Sequence, residues 1–480
     1  ARGDRRAGRG GLLATPIPRN LEPFTRDAVL AATQGSPRGP EWESIRGVVT
    51  DSRAVEAGNL FVALRGERFD AHQFAAQAST DGATAVVVER GTVLPAEVSA
   101  VEVDDTLVAL GNLARAHRTA WNGQVIGITG SVGKTTTKNL AAAALRSAGR
   151  SVLATSGNLN NRIGVPLTLF QLDASVDTAV IEMGTSEPGE IARLAEIARP
   201  DAAIVTRASL SHTEGLGSIE AVADEKVSLL HALGADALAI AYGDDGPVKK
   251  RASIVPARRK LFYGRAAPND IRVLDWEVDA KGTTASFQVR GQGVELQMGL
   301  VGEGAVLNAA AVLALAFGLE LPLAEAARGI VEVEPTPGRM RPVAGAGDRL
   351  ILDDTYNANP ASVEVALSSA HAIAERRGAP LVVVLGDMKE LGAQSEAAHR
   401  EVGTLVADAN AFLFIGCGDE MRHAIEAANA RGVDTLWFED SGECRGIGDR
   451  LPLQAVLLIK GSRSMEMERV MTPLLEEAQP

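Results

Sequence analysis

The stretch GITGSVGKTTTKNL at residues 127–140 decides the fold, because an apolar run turns there into a glycine loop and then into a helical sequence. Glycines let backbone N–H groups converge on one anion, Lys134 adds a positive charge, and the hydroxyl of Thr135 or Thr136 is a ligand that Mg²⁺ accepts. The general pattern G-x-x-x-x-G-K-[ST] has glycine where this chain has Ile128. The chain keeps the spacing of a shorter motif, formed by Gly130, Gly133, Lys134 and Thr135. The stretch predicts a strand, a phosphate-binding loop and a helix.

The same alternation of strand-like and helix-like segments continues on both sides of this loop. Runs such as SVLATS, TAVIEMG and PDAAIVTR are apolar and rich in β-branched residues, and amphipathic helical segments separate them. This alternation predicts an α/β fold whose parallel strands carry ligands at their carboxyl ends. The length of 480 residues suggests three domains at roughly 150 residues each.

Shifts in composition divide the chain into four segments. The arginine-rich start predicts a flexible tail, and the short strands and helices after it predict a small α/β domain. A central phosphate-loop domain with a mostly parallel sheet follows, and the turn-forming sequence EPTPGRMRP begins a smaller Rossmann-like α/β domain. The predicted segments are 1–25, 26–102, 103–333 and 334–480.

Composition excludes several classes of partner. The net charge is −13, which argues against a nucleic-acid backbone but not against small anionic ligands. The longest apolar run, at 309–319, is shorter than the roughly 18 residues that a membrane span needs, so we expect no integral membrane segment. Cys417 and Cys444 are too few for a disulfide framework, which favours reduced thiols in the cytoplasm.

Two side chains near predicted strand ends have both a chemical and an ordinary interpretation, and one lysine on a predicted helix has an ordinary one. Glu182 ends the run TAVIE, where a carboxylate would reach Mg²⁺, although a water-facing acid is equally compatible. His212 lies in a glycine-bearing loop after the next strand, yet a lone histidine is more often structural. Lys226 lies among acids in SIEAVADEKVSLLHAL and is typical of a solvated helical lysine.

Polar clusters also follow the strands of the last domain. LDDTYNANPAS at 352–362 places two carboxylates, a tyrosine and two asparagines directly after an apolar run, which turn chemistry alone explains poorly. Asp387 and Glu390 follow the next run, and Lys460 and Arg463 follow the last one. Because carboxyl ends of parallel strands meet at one edge, these groups predict a site for anionic ligands.

The order and spacing of these motifs resemble those of the Mur ligases from about residue 45 to 470. The short loop T-G-x-x-G-K-[ST] of that family runs from Thr129 to Thr135, so Ile128 is compatible with it. The segment DSRAVEAGNLFVALRGERFDAHQF is similar to the family's uridine-nucleotide-binding part. The other matching motifs are GNLNNRIGVPLTL, IEMGTSEPGEI, SHTEGLGS, PTPGRM, LDDTYNANPAS, VVVLGDMKELG and IKGSRSMEME.

The resemblance implies an ATP-dependent ligase with magnesium as cofactor, two ions being expected. YNANP, LGDMKELG and KGSRS favour the member that joins D-alanyl-D-alanine to UDP-N-acetylmuramoyl-tripeptide through an acyl phosphate. We expect a cytoplasmic monomer of bacterial peptidoglycan precursor synthesis. Another Mur-type amino-acid or peptide ligase, a phosphate-loop phosphotransferase and a nucleotide-binding adaptor remain alternatives, and the third peptide residue is either diaminopimelate or lysine.

The resemblance also implies roles for individual residues. The catalytic residues would be Lys134, Lys226, His212 and Arg339. Nucleotide binding would involve Thr129, Gly130, Ser131, Val132, Gly133, Lys134, Thr135, Thr136, Asn308, Arg339, Asp354 and Tyr356. The metal ligands would be Thr135, Glu182, His212 and Lys226 as a carbamate formed with CO₂. The substrates would contact Ser52, Arg53, Asn158, Asn160, Asn161, Asn357 and Asn359.

The chain departs from the usual family pattern around the expected nucleotide and tripeptide sites. Arg162 stands where relatives usually carry an acid, and Ser186 and Glu187 stand where an Asn-His pair is common. Arg207, Ala208 and Ser209 replace a usual asparagine-isoleucine-glycine run, and Gly304 and Ala305 replace a His-Asn pair. We expect altered substrate detail rather than loss of catalysis.

Overall fold

The computed structural model describes residues 15, 18–20, 22–66, 69–209 and 218–476. Most of the predicted tail and the predicted metal ligand His212 therefore lie outside the described residues. Contacts between residues divide the chain into two compact units. The first holds residues 1–123, 153–183 and 196–199, and the second holds 124–152, 184–195 and 200–480.

The first unit contains a five-stranded sheet in the order β2-β7-β6-β5-β4. Its last four strands run parallel, and β2 pairs antiparallel with β7. These strands are β2 (Ser36–Arg38), β4 (Val48–Val49), β5 (Leu60–Val62), β6 (Ala85–Glu89) and β7 (Ala100–Val103). The short strands β1 (Pro23–Thr25) and β3 (Ser44–Arg46) form a separate antiparallel pair. The predicted small α/β domain is therefore present.

Helices and two further strands complete the first unit. The helix Thr106–Ala120 begins at Asp105, whose carboxylate accepts the N–H groups of the first turn. The remaining helices are Arg26–Thr33, Ala75–Thr80 and Gly164–Leu169, and the adjacent strands are β9 (Val152–Ala154) and β10 (Thr178–Glu182).

Seven strands of the second unit follow the order β16-β15-β14-β13-β12-β11-β8. The pairs from β8 to β14 are parallel, as predicted, whereas β14, β15 and β16 pair antiparallel. The bounds are β8 (Gln124–Thr129), β11 (Ala202–Val205), β12 (Leu238–Tyr242), β13 (Arg259–Gly264), β14 (Ile271–Asp279), β15 (Gly282–Val289) and β16 (Gln292–Met298). The helices are Lys134–Ser147, Glu190–Ala198, Ile219–His231, Gly246–Ala252, Glu303–Gly318 and Leu323–Val331.

A second sheet of this unit has the order β17-β18-β22-β19-β20-β21. All its pairs are parallel except β17 with β18. The strands are β17 (Arg341–Ala344), β18 (Leu350–Asp354), β19 (Leu381–Gly386), β20 (Leu413–Cys417), β21 (Asp434–Phe438) and β22 (Val456–Lys460). The helices are Pro360–Arg377, Ser395–Asp408, Met421–Asn429 and Glu468–Glu476. The predicted C-terminal α/β domain is thus observed.

The apolar runs noted in the sequence form the strands at the centre of each sheet. Val382, Val384 and Leu457 are completely buried in the C-terminal sheet, as a parallel strand covered on both faces requires. Among the described residues, no helix combines the length and apolar character that a bilayer crossing needs.

Candidate active site

The phosphate loop follows β8 and depends on two glycines with positive φ. Gly130 has φ 147° and Gly133 has φ 90°, both in the region that glycine adopts without strain. A Cβ at Gly130 would overlap the hydroxyl of Thr206, and one at Gly133 would overlap the side-chain amide of Asn308. The loop therefore fits closely against its neighbours, and the buried Thr129 ends the strand before it.

The chain that follows β11 fixes the backbone of this loop. Parallel pairing places β11 beside β8, so the residues after each strand emerge together. The Thr206 hydroxyl donates to the carbonyl of Val132 at 2.6 Å. The N–H of Ser131 donates to the carbonyl of Arg207 at 2.9 Å, and its hydroxyl donates to the carbonyl of Ser209 at 3.1 Å. Both loops are therefore held in one arrangement.

Lys134 opens the helix Lys134–Ser147, and its ammonium donates to the carbonyl of Gly130 at 2.7 Å. Thr137, one turn later, donates to Asn308 Oδ1 at 3.1 Å. The predicted nucleotide residue Asn308 therefore lies against the loop. Thr135 and Thr136 are half-buried in the first turn of this helix, directly after the loop. A glycine loop, a lysine and a helix N-terminus together fit a phosphate group.

Lys226 is not the solvated lysine that its acidic neighbours suggest. The residue is only 1% exposed, on the helix Ile219–His231. Burial lowers the pKa of Lys226 well below its usual value, and the positive charge of Lys134 lowers it further against the opposing effect of Glu225 and Glu190. The solvated interpretation is wrong, because the packing of this helix encloses the lysine. A buried amine beside another cation favours its neutral form.

Glu182 ends β10 in the first unit and is buried. Its Oε1 accepts a hydrogen bond from the amide of Asn160 at 2.8 Å, and its N–H donates to the hydroxyl of Thr155 at 2.9 Å. Among the described residues, Oε2 has no hydrogen-bond partner although it is buried. Since a buried anionic oxygen is costly without a positive partner, Glu182 fits a metal ligand better than an acid facing water.

The asparagines near Glu182 have different local roles. Asn161 Oδ1 accepts the N–H groups of Ile163 at 3.1 Å and of Gly164 at 2.8 Å, and so it fixes the turn that leads into the helix Gly164–Leu169. Asn158 Oδ1 accepts the hydroxyl of Thr15 at 2.6 Å. Only Asn160 bonds to the predicted metal ligand. Substrate contact by these asparagines stays a prediction.

Ser52 and Arg53 lie in a 3₁₀ turn, Ser52–Ala54, of the first unit. Arg53 forms a two-point contact with Asp51, with N···O distances of 2.9 and 2.7 Å, and its side chain is 88% exposed. The hydrogen bond from Arg53 holds the pKa of Asp51 below its usual value. The arginine is therefore exposed but already paired with Asp51, and its predicted contact with uridine diphosphate remains a prediction.

The predicted residues of the C-terminal domain form two contacts at the carboxyl ends of their strands. The guanidinium of Arg339 lies 4.1 Å from the ring centre of Tyr356. Parallel register places Asp354 beside Lys460, and the ammonium of Lys460 donates to Asp354 Oδ2 at 2.6 Å and to the carbonyl of Asn357 at 2.8 Å. Asp354 and Asn357 are thus joined through a buried lysine.

Asn359 has a structural role as the N-cap of the helix Pro360–Arg377. Its Oδ1 accepts the N–H of Ser362 at 2.9 Å, and Ser362 Oγ accepts the N–H of Asn359 at 3.0 Å. This reciprocal capping box accounts for an asparagine at this position without any contact to a ligand. Its predicted contact with the dipeptide stays a prediction.

Three family models match the chain in sequence order. They are the Mur ligase family, catalytic domain, at residues 44–118, the Mur ligase middle domain at 128–316, and the Mur ligase, glutamate ligase domain, at 338–463. The chain belongs to the Mur ligase family. The three matches confirm the three-domain Mur ligase architecture, while the predicted domain bounds stay a prediction.

Two curated relatives of this Mur ligase are named UDP-N-acetylmuramoyl-tripeptide–D-alanyl-D-alanine ligase. The one from Escherichia coli (strain K12) is 38% identical over 432 residues, which cover 89% of this chain and 93% of the relative. The one from Bacillus subtilis (strain 168) is 33% identical over 449 residues, covering 92% and 96%. The chain is therefore an enzyme of the ligase class.

Solved structures agree with this assignment. MurF from Acinetobacter baumannii has a TM-score of 0.86 at 29% identity, covering 95% of this chain and all of that one (100%). MurF ligase from Thermotoga maritima, solved in complex with ADP, has a TM-score of 0.80 at 29% identity, covering 90% and 97%. The predicted fold class is confirmed.

One departure of this Mur ligase from its family pattern lies in a turn that hydrogen bonds from backbone N–H groups hold. Ser186 and Glu187 lie in a turn where both N–H groups donate to one carboxylate oxygen of Glu190, at 2.7 and 3.2 Å. The sequence analysis missed this role of Glu190, because an acid in the first turn of a helix is common and indicates no particular contact.

Glu225, next to Lys226, was also missed. This buried carboxylate accepts the N–H groups of Gly189 at 2.7 Å and of Ile191 at 2.8 Å. It therefore joins the helix that carries Lys226 to the turn that contains Ser186. The sequence shows only that an acid directly precedes Lys226, and this position gives no indication that the acid is buried.

Proposed function

We propose that this Mur ligase joins D-alanyl-D-alanine to UDP-N-acetylmuramoyl-tripeptide with ATP, as a cytoplasmic monomer. The observation that carries the proposal is the phosphate loop together with the buried Lys226, whose pKa the positive charge of Lys134 lowers. The chain is also 38% identical to the Escherichia coli UDP-N-acetylmuramoyl-tripeptide–D-alanyl-D-alanine ligase. The substrates follow from the names of the relatives, and the chemistry follows from the site.

The reaction must make a carboxylate reactive toward an amine. The γ-phosphoryl group of ATP passes to the terminal carboxylate of the tripeptide, which forms an acyl phosphate and releases ADP. The free amine of D-alanyl-D-alanine attacks the acyl carbon, and a tetrahedral intermediate collapses with loss of phosphate. Both steps bring anions together, so their barriers depend on positive charge placed in advance.

The phosphate loop supplies part of that charge. Its N–H groups and Lys134 would hold the phosphates, and Thr135 or Thr136 would offer a hydroxyl to Mg²⁺. Glu182 would offer the buried oxygen that has no hydrogen-bond partner among the described residues. Mg²⁺, when bound, would neutralise the negative charge that moves during phosphoryl transfer. His212 keeps its proposed role at a second ion.

Lys226 would act as a carbamate. Its neutral amine attacks CO₂, a new N–C bond forms, and one proton leaves, which converts a cation into a carboxylate-like group. Burial and the charge of Lys134 both favour the neutral amine that this step needs. The product is an anion, so the positive charge of Lys134 that disfavours the ammonium would stabilise the carbamate. An oxygen ligand for Mg²⁺ results.

Arg339, Asp354 and Tyr356 would complete the nucleotide site from the C-terminal domain. The stack of Arg339 on Tyr356 restricts the guanidinium, which lowers the entropy lost when it binds phosphate. Asn357, whose carbonyl is fixed by Lys460, would lie near the incoming dipeptide.

A direct assay tests the proposal. The purified protein is incubated with ATP, Mg²⁺, UDP-N-acetylmuramoyl-tripeptide and D-alanyl-D-alanine, and products are identified by mass spectrometry. We expect the pentapeptide, ADP and phosphate. A panel of single amino acids serves as the comparison, since preferential addition of one of them would reassign the chain to another Mur-type activity. A phosphorylated product that accumulates without an amide would indicate a phosphotransferase.

A further inference from the structure

The only two cysteines of the chain meet inside the C-terminal domain. Cys417 is the last residue of β20, and Cys444 lies in the 3₁₀ turn Glu443–Gly446. Both are completely buried, and their sulfur atoms are 2.8 Å apart. A disulfide bond is about 2.05 Å long, so a small movement of the side chains would suffice to form one.

The surroundings slow the oxidation of this pair. The thiols lie in an apolar cluster with Ile415, Ile447 and Met467. The hydrogen bond to Cys444 and burial both raise the pKa of the Cys417 thiol. The thiolate is the reactive form of cysteine, so oxidation should be slow and should start at the sulfur closer to solvent.

We propose that Cys417 and Cys444 form a modification site, at which hydrogen peroxide converts the two thiols into an intramolecular disulfide. Cys444 reacts first, because its turn carries the exposed residues Glu443 and Gly446, whereas Cys417 ends a buried strand. This proposal does not depend on the substrates of the ligase.

Atoms and electrons balance over two steps. The sulfur of Cys444 attacks one peroxide oxygen and the O–O bond breaks, which leaves a sulfenic acid and, after proton transfer from the thiol, one water. The sulfur of Cys417 then displaces the hydroxyl of that sulfenic acid. The S–S bond forms and a second water leaves with the proton of Cys417. The two sulfurs together lose two electrons, and the peroxide is reduced.

The disulfide would lie next to Asp387 of the VVVLGDMKELG motif. The N–H of Asp387 donates to the carbonyl of Cys417 at 3.1 Å, and Gly418 packs so closely on the Asp387 carboxylate that a Cβ there would overlap it. The bond would connect positions 27 residues apart, which restricts the unfolded chain. We therefore expect the oxidised domain to melt several degrees higher than the reduced one.

The test uses the full-length, fully reduced protein and hydrogen peroxide at neutral pH. Thiols that remain are alkylated after denaturation, and peptides are mapped by mass spectrometry. We expect the Cys417 and Cys444 peptides to be joined within one chain, with loss of two hydrogen atoms, and reductant should separate them. Oxidation of the half-buried Met465 shows that the peroxide was active. Two alkylated cysteines beside an oxidised Met465, or disulfides formed only between chains, would overturn the proposal.

Single substitutions test the order of the two steps. Cys417→Ser should leave Cys444 to accumulate as a sulfenic acid that a 1,3-diketone traps, whereas Cys444→Ser should leave Cys417 alkylatable for longer than in the native protein. The reverse pattern would overturn the assignment of Cys444 as the first thiol. Melting of the unsubstituted protein before and after oxidation supplies a measurement that needs no variant, and equal melting temperatures would contradict the proposed restraint.

Discussion

The phosphate loop and the helix Ile219–His231 each present a lysine, and the two lysines differ in how their chemistry is encoded. Lys134 belongs to a local motif, because two glycines with positive φ and a helix start define its position within a few residues. Lys226 has ordinary helical neighbours, yet it is 1% exposed and its pKa is lowered well below the usual value. The first role follows from spacing, and the second follows from burial.

Removal of the motif lysine should have the largest effect. Lys134→Ala should lower turnover by about 10³-fold, because this ammonium faces charge that moves during phosphoryl transfer. The measurement is steady-state release of phosphate, with circular dichroism as a check of folding. Lys281→Ala, at an exposed lysine of a β-turn, is the matched control and should keep normal turnover. Near-normal activity of Lys134→Ala would remove the phosphate loop from the reaction.

Lys226→Ala should be nearly as damaging, and only this variant should respond to added carboxylate. We expect turnover to fall by about 10²-fold and formate or acetate to restore part of it, because a small carboxylate replaces the carbamate oxygen. Lys134→Ala should show no such recovery, which separates the two lysines. In the native protein, ¹³C-labelled CO₂ should give a carbamate signal that the variant lacks. Full activity of Lys226→Ala would return this residue to a structural role.

The pH dependence of the carbamate follows from the lowered pKa of Lys226. A group with a lowered pKa keeps its neutral amine to a lower pH, so carbamylation should persist below the range expected for a free lysine. Bicarbonate added after removal of CO₂ should restore activity at neutral pH. Activity that is indifferent to CO₂ would contradict this prediction.

The fold was predictable where local patterns act alone. Buried β-branched runs such as β19 and β22 indicate parallel strands, and Gly130 and Gly133 indicate the loop, because each signal lies within a few residues. The antiparallel strands β14 to β16 were not predicted, since their half-exposed sequences lack a continuous apolar run. Burial of Glu225 and Lys226 depends on residues distant in sequence, so no local pattern reveals it.

Glu182→Gln should have an intermediate effect on turnover. It extends the comparison of the two lysines to a buried acid. Glutamine keeps an oxygen for the amide of Asn160 but loses the negative charge at the unpaired position. We expect a roughly 10-fold to 10²-fold loss of turnover at low Mg²⁺ that partly recovers as Mg²⁺ rises, because a neutral ligand binds the ion more weakly and higher Mg²⁺ refills the site. Activity should be titrated against Mg²⁺ in both proteins. An unchanged Mg²⁺ dependence would assign Glu182 a purely structural role.

The smallest effect should come from Arg207, which follows β11 beside the phosphate loop and forms an ion pair with the C-terminal domain. Its carbonyl holds Ser131, and its guanidinium pairs with Glu364 on the helix Pro360–Arg377 at 3.3 Å. Arg207→Ala keeps the carbonyl and removes only the ion pair, whose two side chains are 38% and 52% exposed. Because exposed pairs contribute about 1 kcal/mol or less, we expect a roughly twofold change in turnover that disappears at high salt. Glu364→Gln should give the same change, and the double variant should add nothing further, as a double-mutant cycle at two salt concentrations would show.

A loss of about 10²-fold in Arg207→Ala alone would instead place this guanidinium, like Lys134, in contact with the phosphates.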